Sequence, residues 1–187
     1  MKDLSLHILD IAQNSLAAGA GHIRIELEET EKTLSIAIGD DGWGMDEAFL
    51  KTVTDPFSTS RTTRKVGLGL PLFKMAAEQT GGWLHIASRT PEQAPEAHGT
   101  LVTTLFHKEH MDFTPLGDMV STLTLLLQGT PEVDIHFSHT LNGGEVSLDT
   151  GQMREVLGPD IPLNSPEVLG WVKESLLEGY RALGYVF

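Results

Sequence analysis

The chain has no cysteine, few basic residues and no long apolar run. Its 187 residues include 13 Lys and Arg against 26 Asp and Glu, which gives a formal net charge of −13. The lack of cysteine excludes disulfide bridges and thiolate metal sites. The shortage of positive charge argues against a nucleic-acid or anionic-lipid partner. Because no apolar run reaches the length of a membrane span and the first residues do not resemble a signal peptide, we expect a cytoplasmic protein without a membrane span.

The charge that is present is divided unevenly. Residues 1–108 carry 10 Lys and Arg against 14 Asp and Glu, and residues 109–187 carry 3 against 12. A local exception is the stretch SRTTRK, in which Arg61, Arg64 and Lys65 lie close together. A basic cluster in an acidic chain indicates a site for a specific anion, and a solvated loop is the alternative.

Hydrophobic periodicity predicts two segments. In residues 1–108 the order is α-β-β-α-α-β-β, which suggests a mixed sheet with helices on one face. The predicted elements of this segment are helices at 4–18, 46–52 and 69–79 and strands at 22–29, 33–41, 83–88 and 100–106. The polar stretch 107–114 indicates a boundary. Beyond it, residues 109–187 have the order α-β-β-α-α and predict a small acidic α+β domain whose role the sequence does not specify.

The first helix carries a polar pair, Asp10 and Asn14. Their spacing of four residues places them on one helix face. A carboxylate beside an amide oxygen suits a hard cation such as Mg²⁺ with its waters. The carboxylate could also orient an attacking water. The alternative is that the pair belongs to an ordinary solvated face.

The stretch GDDGWGM follows the second predicted strand. Gly42 and Gly44 remove side-chain bulk, so that a ligand can approach the backbone. Asp40 ends the strand and could accept a hydrogen bond from an exocyclic amine such as that of adenine. The alternative is a strand-to-helix turn in which Asp46 caps the next helix.

A third glycine motif precedes the helix predicted at 69–79. Gly67 and Gly69 lie at its start, where backbone N–H groups and the helix dipole favour phosphate. The basic cluster lies just upstream. The sequence has no GxxxxGK[ST] motif and no GxGxxG after a first strand, which excludes a P-loop and a dinucleotide fingerprint.

Taken in order, the D-x-x-x-N helix, the D-x-G-x-G turn, the loop with DPFSTSR and the G-x-G-L helix start resemble the GHKL ATPase family. That family groups DNA gyrase, the Hsp90 chaperones, sensor histidine kinases and the MutL repair proteins. The resemblance covers about residues 1–108. It implies an α+β protein: a Bergerat-type α/β sandwich, with a mixed sheet and helices on one face, followed by a small C-terminal α+β domain. It also implies ATP and Mg²⁺ as cofactors.

The resemblance assigns roles to particular residues. Asn14 would be the Mg²⁺ ligand, and Asp10 stands where gyrase-like and Hsp90-like members place a glutamate that activates water. Asp40 would bind the adenine amino group. The other expected nucleotide contacts are Gly42, Gly44, Met45, Phe57, Arg61, Lys65, Gly67, Gly69, Leu70 and Thr100.

Three positions depart from the family pattern. Lys65 replaces the first glycine of a frequent G-x-G-x-G motif, and Ala17 stands where an acid is frequent. Asp10 is one methylene shorter than glutamate, which shortens its reach toward water. The residues therefore support ATP binding better than hydrolysis.

The resemblance implies a kinase-like ATPase that acts on a partner protein in signal transduction. Since few residues precede Asn14, a self-contained histidine kinase is not expected. A stand-alone or split histidine kinase acting in trans, or a serine kinase of the anti-sigma type, fits better. The alternative is a non-catalytic, ATP-dependent switch or scaffold whose C-terminal domain binds a regulatory partner. A homodimer stays open. His7, one turn before the polar pair, is expected to pack at the edge of the site.

Overall fold

The computed structural model describes residues 3–54 and 69–185. Within these ranges the helices and strands follow the predicted order closely. The helices are α1 (Leu4–Ala17), α2 (Glu47–Leu50), α3 (Gly69–Gln79), α4 (Met119–Gly129), α5 (Thr150–Leu157) and α6 (Pro166–Ala182). The strands are β1 (His22–Glu29), β2 (Thr33–Asp40), β3 (Trp83–Arg89), β4 (Gly99–His107), β5 (Asp134–Leu141) and β6 (Gly144–Asp149).

The strands form one sheet in the order β3-β4-β2-β1-β5-β6. The pairing is antiparallel except between β1 and β5, which run parallel with Ile23 opposite Ile135. Alternation places Ile23 and Ile25 in the core, while Arg24 and Leu101 lie exposed on the other face. The predicted α+β architecture with a mixed sheet is therefore confirmed.

Local sequence explains where the helices begin and end. Asp46 accepts a hydrogen bond from the Phe49 backbone N–H at 2.8 Å, so it caps α2 as expected. Ser165 caps α6 and Pro166 takes its first position. None of the helices in the described ranges is long and apolar enough to cross a membrane.

The second segment continues the sheet of the first. β5 pairs with β1, and the N–H groups of Leu4 and Ser5 at the start of α1 donate to the carbonyls of Pro115 and Leu116. Buried side chains from both segments belong to one hydrophobic cluster. The division into domains 1–108 and 109–187 stays a prediction, since shared strands do not measure how each segment folds alone.

A buried polar network joins the two segments at the far end of β1. Glu29 accepts hydrogen bonds from Lys108 Nζ at 2.6 Å and bonds His139 Nε2 at 3.1 Å. His139 is fully buried, and its Nδ1 lies 3.0 Å from the Tyr180 hydroxyl. Burial raises the pKa of Glu29, but its bonds to His139 and Lys108 outweigh burial and leave the pKa below its usual value.

Candidate nucleotide site

A cavity of about 280 Å³ lies between α1, the end of β2 and the start of β4. Six of the predicted site residues line it: Asn14, Asp40, Gly44, Met45, Leu70 and Thr100. Most of the remaining wall is apolar or small. The fold therefore brings these six residues together from four separate stretches of chain.

Asp40 is the most constrained polar group of the cavity. It is the last residue of β2 and shares the inner face of the sheet with Ile38 and Ile36. One carboxylate oxygen, Oδ1, accepts from the Gly42 N–H at 2.9 Å and the Thr100 N–H at 3.3 Å. The other, Oδ2, accepts from Ser15 Oγ at 2.6 Å. With donors from α1, from β4 and from the turn after β2, the carboxylate has a fixed orientation in the cavity wall.

The turn after Asp40 is held from two sides. On the α1 side, the Trp43 N–H donates to the Ala18 carbonyl at 2.9 Å. On the β3–β4 side, the Met45 N–H donates to Ser88 Oγ at 2.7 Å. Gly44 has a φ of +64°, and a Cβ placed there would lie 2.0 Å from the Arg89 carbonyl oxygen. Only glycine therefore allows the turn to close against β3 at this point.

Asp41, adjacent to Asp40, points to a different set of partners. Its Oδ1 accepts from the N–H groups of Gly21 and His22 at 2.8 and 2.9 Å, and its Oδ2 lies 2.6 Å from His22 Nδ1. Burial raises the pKa of Asp41, but these hydrogen bonds outweigh it and lower the pKa overall. The hydrogen bond to Asp41 raises the pKa of His22. The second acid of the motif thus fixes the turn onto the start of β1.

The other end of the site lies where α1 meets the start of α3. Asn14 lines the cavity, whereas Asp10 is not part of its described wall. A Cβ at Gly69 would lie 3.1 Å from the Asp10 Cβ, so the missing side chain lets α3 begin close to α1. His7 is buried and its ring stacks on Phe73 at a centroid distance of 5.3 Å. Burial lowers the pKa of His7, so the ring is neutral at pH 7, in keeping with a packing role.

Several predicted residues lie elsewhere. Gly42 contributes its N–H to Asp40 without lining the cavity, and Gly69 contacts Asp10 at the start of α3. The predicted contacts Phe57, Arg61, Lys65 and Gly67 lie outside the described residues. In residues 3–54 and 69–185, no cluster of three or more His, Cys, Asp or Glu side chains is placed to hold a metal ion.

Sequence reasoning missed two serines that support the site. Ser15 follows Asn14 and bonds Asp40, and Ser88 bonds Thr100 Oγ1 at 2.9 Å as well as the turn. Each carried a signal, because each is a polar residue at a core-facing position of its element. Ser15 continues the stripe of Ile11 in α1, and Ser88 continues the inward-facing row of Leu84 and Ile86 in β3.

The geometry suits a flat ring with an exocyclic amine. Ile11, Met45, Leu70 and Val102 offer apolar contact, and the fixed carboxylate of Asp40 offers an acceptor in the wall. A half-buried polar group that is already oriented binds a ligand without reorganisation, which favours selectivity for one ring over another.

Comparisons with known proteins identify the family of the chain. The model of the family described as histidine kinase-, DNA gyrase B- and HSP90-like ATPase matches residues 2–110. That match covers more than half of the chain, and the chain belongs to this family. The prediction of a GHKL ATPase domain is therefore confirmed.

Two curated relatives are sensor histidine kinases. The chain is 36% identical over 104 residues to the tetrathionate sensor histidine kinase TtrS of Salmonella typhimurium, covering 55% of this chain and 17% of that protein. It is 34% identical over 94 residues to the sensor histidine kinase YvrG of Bacillus subtilis, covering 46% of this chain and 15% of that protein. The chain thus spans about a sixth of the length of these relatives.

Two solved structures share the fold. The N terminal domain of a DNA repair protein matches with a TM-score of 0.56 at 15% identity, covering 97% of this chain and 59% of that one. The Aquifex aeolicus MutL ATPase domain complexed with ADP matches with a TM-score of 0.53 at 14% identity, covering 84% and 69%. These matches confirm the Bergerat-type α/β sandwich.

Proposed function

We propose that this chain binds ATP with Mg²⁺ in the cavity beside Asp40 and acts as a kinase-like ATPase on a partner protein in signal transduction. The observation that carries the proposal is the Asp40 carboxylate, which three hydrogen bonds hold in the wall of a largely apolar cavity. Adenine has both the flat apolar faces and the exocyclic amine that such a wall would read.

The phosphate groups would extend toward α3. Its first residues, Gly69 and Leu70, present the positive end of an 11-residue helix, and Leu70 also lines the cavity. Asn14 would supply an amide oxygen to Mg²⁺, with the remaining ligands from phosphate and water, because Mg²⁺ commonly keeps several waters. The ion would neutralise phosphate charge during transfer.

The position of Asp10 favours a role in ATP binding and phosphoryl transfer for this chain over ATP hydrolysis. Its carboxylate lies at the α1–α3 contact rather than in the described cavity wall, and it is shorter than glutamate. Phosphoryl transfer to a protein depends less on Asp10 than hydrolysis does. In transfer, the protein mainly positions the reactants and neutralises charge, whereas hydrolysis also needs a residue that activates water.

The relatives support the kinase class. TtrS and YvrG are named as sensor histidine kinases, and the MutL neighbour was solved with ADP. We extend both properties to this chain as proposals: nucleotide binding in the shared cavity, and phosphoryl transfer in trans as a split histidine kinase or an anti-sigma type serine kinase.

A second candidate is an ATP-dependent switch without catalysis. It is favoured by the continuity of the sheet, because β1 lies next to β2, which carries Asp40, and also next to β5 of the second segment. A ligand at Asp40 could therefore bias a surface on the second segment that a regulatory partner contacts.

Tryptophan fluorescence tests the binding step. Trp43 lines the cavity and its side chain is 60% exposed, so a ligand that enters should change its emission. In a Trp83→Phe/Trp171→Phe double variant, Trp43 is the single tryptophan. Titration with ATP·Mg²⁺ should give a saturable change that GTP·Mg²⁺ does not match. No change with either nucleotide, together with no heat in titration calorimetry, would contradict the proposal.

Asn14 provides the test of the metal. In Asn14→Ala, the affinity for ATP should no longer depend on Mg²⁺, with a loss of about tenfold at saturating Mg²⁺ if one ligand contact is worth about 1.4 kcal/mol. Gln13→Ala, which changes the exposed neighbour, is the matched control. Calorimetry with and without Mg²⁺ decides the point, and unchanged metal dependence in Asn14→Ala would remove this residue from the site.

Transfer of the ³²P label from γ-labelled ATP separates the two candidates. If a candidate partner becomes labelled, and the labelling is lost in Asp40→Asn, the result supports the kinase. Saturable ATP binding without transfer and without release of phosphate supports the switch.

A further inference from the structure

Another concave surface lies in the second segment of the chain, between residues 147 and 176. α5, α6 and β6 enclose a groove of about 800 Å³. Its floor is made of buried apolar side chains, among them Met153 and Val172. Its rim carries three large apolar residues that are much more exposed: Val156 at 86%, Trp171 at 60% and Ile161 at 44%.

The groove results from the periodicity of two helices. Met153 and Val156 in α5, and Val168, Trp171 and Val172 in α6, recur at helical spacing and all line it. An amphipathic helix normally buries such a stripe, but here the outer part of both stripes faces solvent. Contiguous exposed apolar residues of this kind mark interaction surfaces in soluble domains. We call this surface the α5–α6 groove.

The charged residues that line the groove are acidic. No Lys or Arg lines it, whereas Asp149 and Glu167 do. Glu174, one turn beyond Trp171 on α6, is also exposed. Arg154 of α5 bonds Asp134 Oδ1 through its Nε at 2.9 Å. A second copy of this chain would bring acidic residues against acidic residues, which costs binding energy, so the charge pattern favours a basic partner.

We propose that the α5–α6 groove binds an amphipathic helix of a partner protein, with apolar residues along one face and Lys or Arg on its flanks. The lining residues of α6 extend from Ser165 to Leu176, which corresponds to about 17 Å, or three turns of a bound helix. Two helices that flank an apolar floor form the groove for helix-in-groove recognition, in which apolar anchors at i, i+3, i+4 and i+7 enter the floor.

This proposal goes beyond nucleotide binding. No residue lines both the groove and the cavity beside Asp40. Peptide binding can therefore be measured without nucleotide, and its failure would leave the ATP proposal untouched, just as failure of ATP binding would leave the groove untouched.

A synthetic peptide is the probe. We would use a 14-residue helix with leucines at i, i+3, i+4, i+7 and i+11 and lysines on both flanks. The protein is the full chain with Trp43→Phe and Trp83→Phe, so that Trp171 is the single tryptophan. We expect saturable binding with a blue shift of Trp171 emission and ¹H–¹⁵N shift changes in α5 and α6. Affinity should fall as salt is raised, because part of the attraction is electrostatic.

Two control peptides separate shape from charge. One has the same composition but rearranged so that no apolar face forms, and the other carries Glu in place of Lys. Both should bind at least about tenfold more weakly, since one lacks the anchors and the other has the wrong charge. Equal binding of the rearranged peptide would overturn the proposal, because attraction to an acidic protein would then be the whole effect.

Matched variants localise the contact. In the otherwise wild-type chain, where ¹⁵N shifts report binding, Trp171→Ala and Glu167→Lys should each weaken the peptide at least about fivefold. Trp83→Ala and Glu31→Lys change an exposed tryptophan and an exposed acid elsewhere and should have no effect.

Three further results would overturn the proposal. They are no binding up to millimolar peptide, shifts confined to β6 as expected for an added strand, and self-association of the chain that Trp171→Ala abolishes. The last result would identify a second copy as the occupant.

Discussion

The two hairpins of the sheet end in similar sequences but form different surfaces. β2 ends at Asp40 in the sequence Asp40-Asp41-Gly42, and β6 ends at Asp149 in the sequence Asp149-Thr150-Gly151. Each hairpin follows one helix and precedes two more, so the order α-β-β-α-α occurs twice. A D-x-G motif at the end of a strand therefore does not by itself define a ligand site.

The hydrogen-bond partners of the first aspartate account for the difference. Asp149 accepts from the Gln152 N–H at 2.9 Å and caps α5, so a helix begins directly and Met153 packs into the core. Asp40 instead bonds Ser15 on α1 and Thr100 on β4, and no helix begins until Asp46 caps α2. The open turn that results leaves room for a cavity.

The largest difference in stability between the two hairpins is expected when a glycine of each is replaced, with the greater loss at Gly44. Gly44→Ala should lower the free energy of unfolding by more than about 3 kcal/mol, because its Cβ would collide with the Arg89 carbonyl oxygen at 2.0 Å. Gly143→Ala in the β5–β6 turn is the matched control. Gly143 also has a positive φ, of +79°, but nothing lies within 4 Å of its Cβ position. It should cost only about 1–2 kcal/mol. Urea unfolding measures both, and equal losses would show that strain rather than collision dominates.

The next effect concerns the two aspartates directly. Asp40→Asn should lower the affinity for ATP by about 100-fold. An amide would face the adenine amine, and the Ser15 hydroxyl would lose its charged acceptor. The same variant should lower the affinity for GTP less, since guanine lacks an amine at that position. Asp149→Asn should leave ATP affinity unchanged and alter stability little, because asparagine caps helices about as well as aspartate. Calorimetry on both variants tests this, and equal losses of ATP and GTP affinity in Asp40→Asn would refute the adenine role.

A smaller effect is expected where the halves of the molecule meet. Glu29→Gln should cost about 1–2 kcal/mol at pH 7, because Lys108 and His139 lose a shared charged acceptor. The folded pKa of Glu29 is lowered, so its contribution is present above the unfolded value and is lost as the pH falls through the folded pKa. Unfolding at pH 7 and pH 3.5 should show the gap between wild type and variant closing in acid. Glu28→Gln, at an exposed neighbour, should show no such gap.

The smallest effect is expected at the opposite end of β1. His22 lies 2.6 Å from Asp41 and 3.6 Å from Asp134, and its pKa is raised, mainly by the hydrogen bond to Asp41. Its stabilising contribution is complete below the unfolded pKa and is lost as the pH rises through the folded pKa. His22→Gln should therefore lower the free energy of unfolding more at pH 5.5 than at pH 8.5, and the difference should be less than about 1 kcal/mol because the pair is exposed. His85→Gln, at an exposed histidine of β3, serves as the control. A larger loss at pH 8.5 would contradict the assignment.

Local pattern predicted most of the elements. The start of α3 at Gly69 with Pro71 in its first turn follows from backbone chemistry, and the β1–β2 hairpin follows from alternation of Leu34, Ile36 and Ile38. Asp40 and Thr100 could be placed in one site because the resemblance supplied the long-range order of the motifs.

Long-range pairing could not be predicted. Nothing local to Ile23 or Ile135 indicates that they meet in parallel strands, because both are simply apolar residues in alternating runs. The polar stretch after β4 indicates a boundary, but it carries no sign that a strand beyond it pairs with β1. Ser15 and Ser88 were missed for a related reason, since a hydroxyl facing the core gains its meaning only from the acceptor or donor it meets there.

The parallel pairing of β1 with β5 also has a consequence for the order in which the sheet can form during synthesis. β1 lies at the centre of the finished sheet, yet its parallel neighbour is synthesised more than a hundred residues later. Until β5 has been synthesised, one backbone edge of β1 lacks its partner strand, and unpaired strand edges are sites of aggregation. The sheet that carries Asp40 is therefore complete only after a strand encoded late in the chain has joined it.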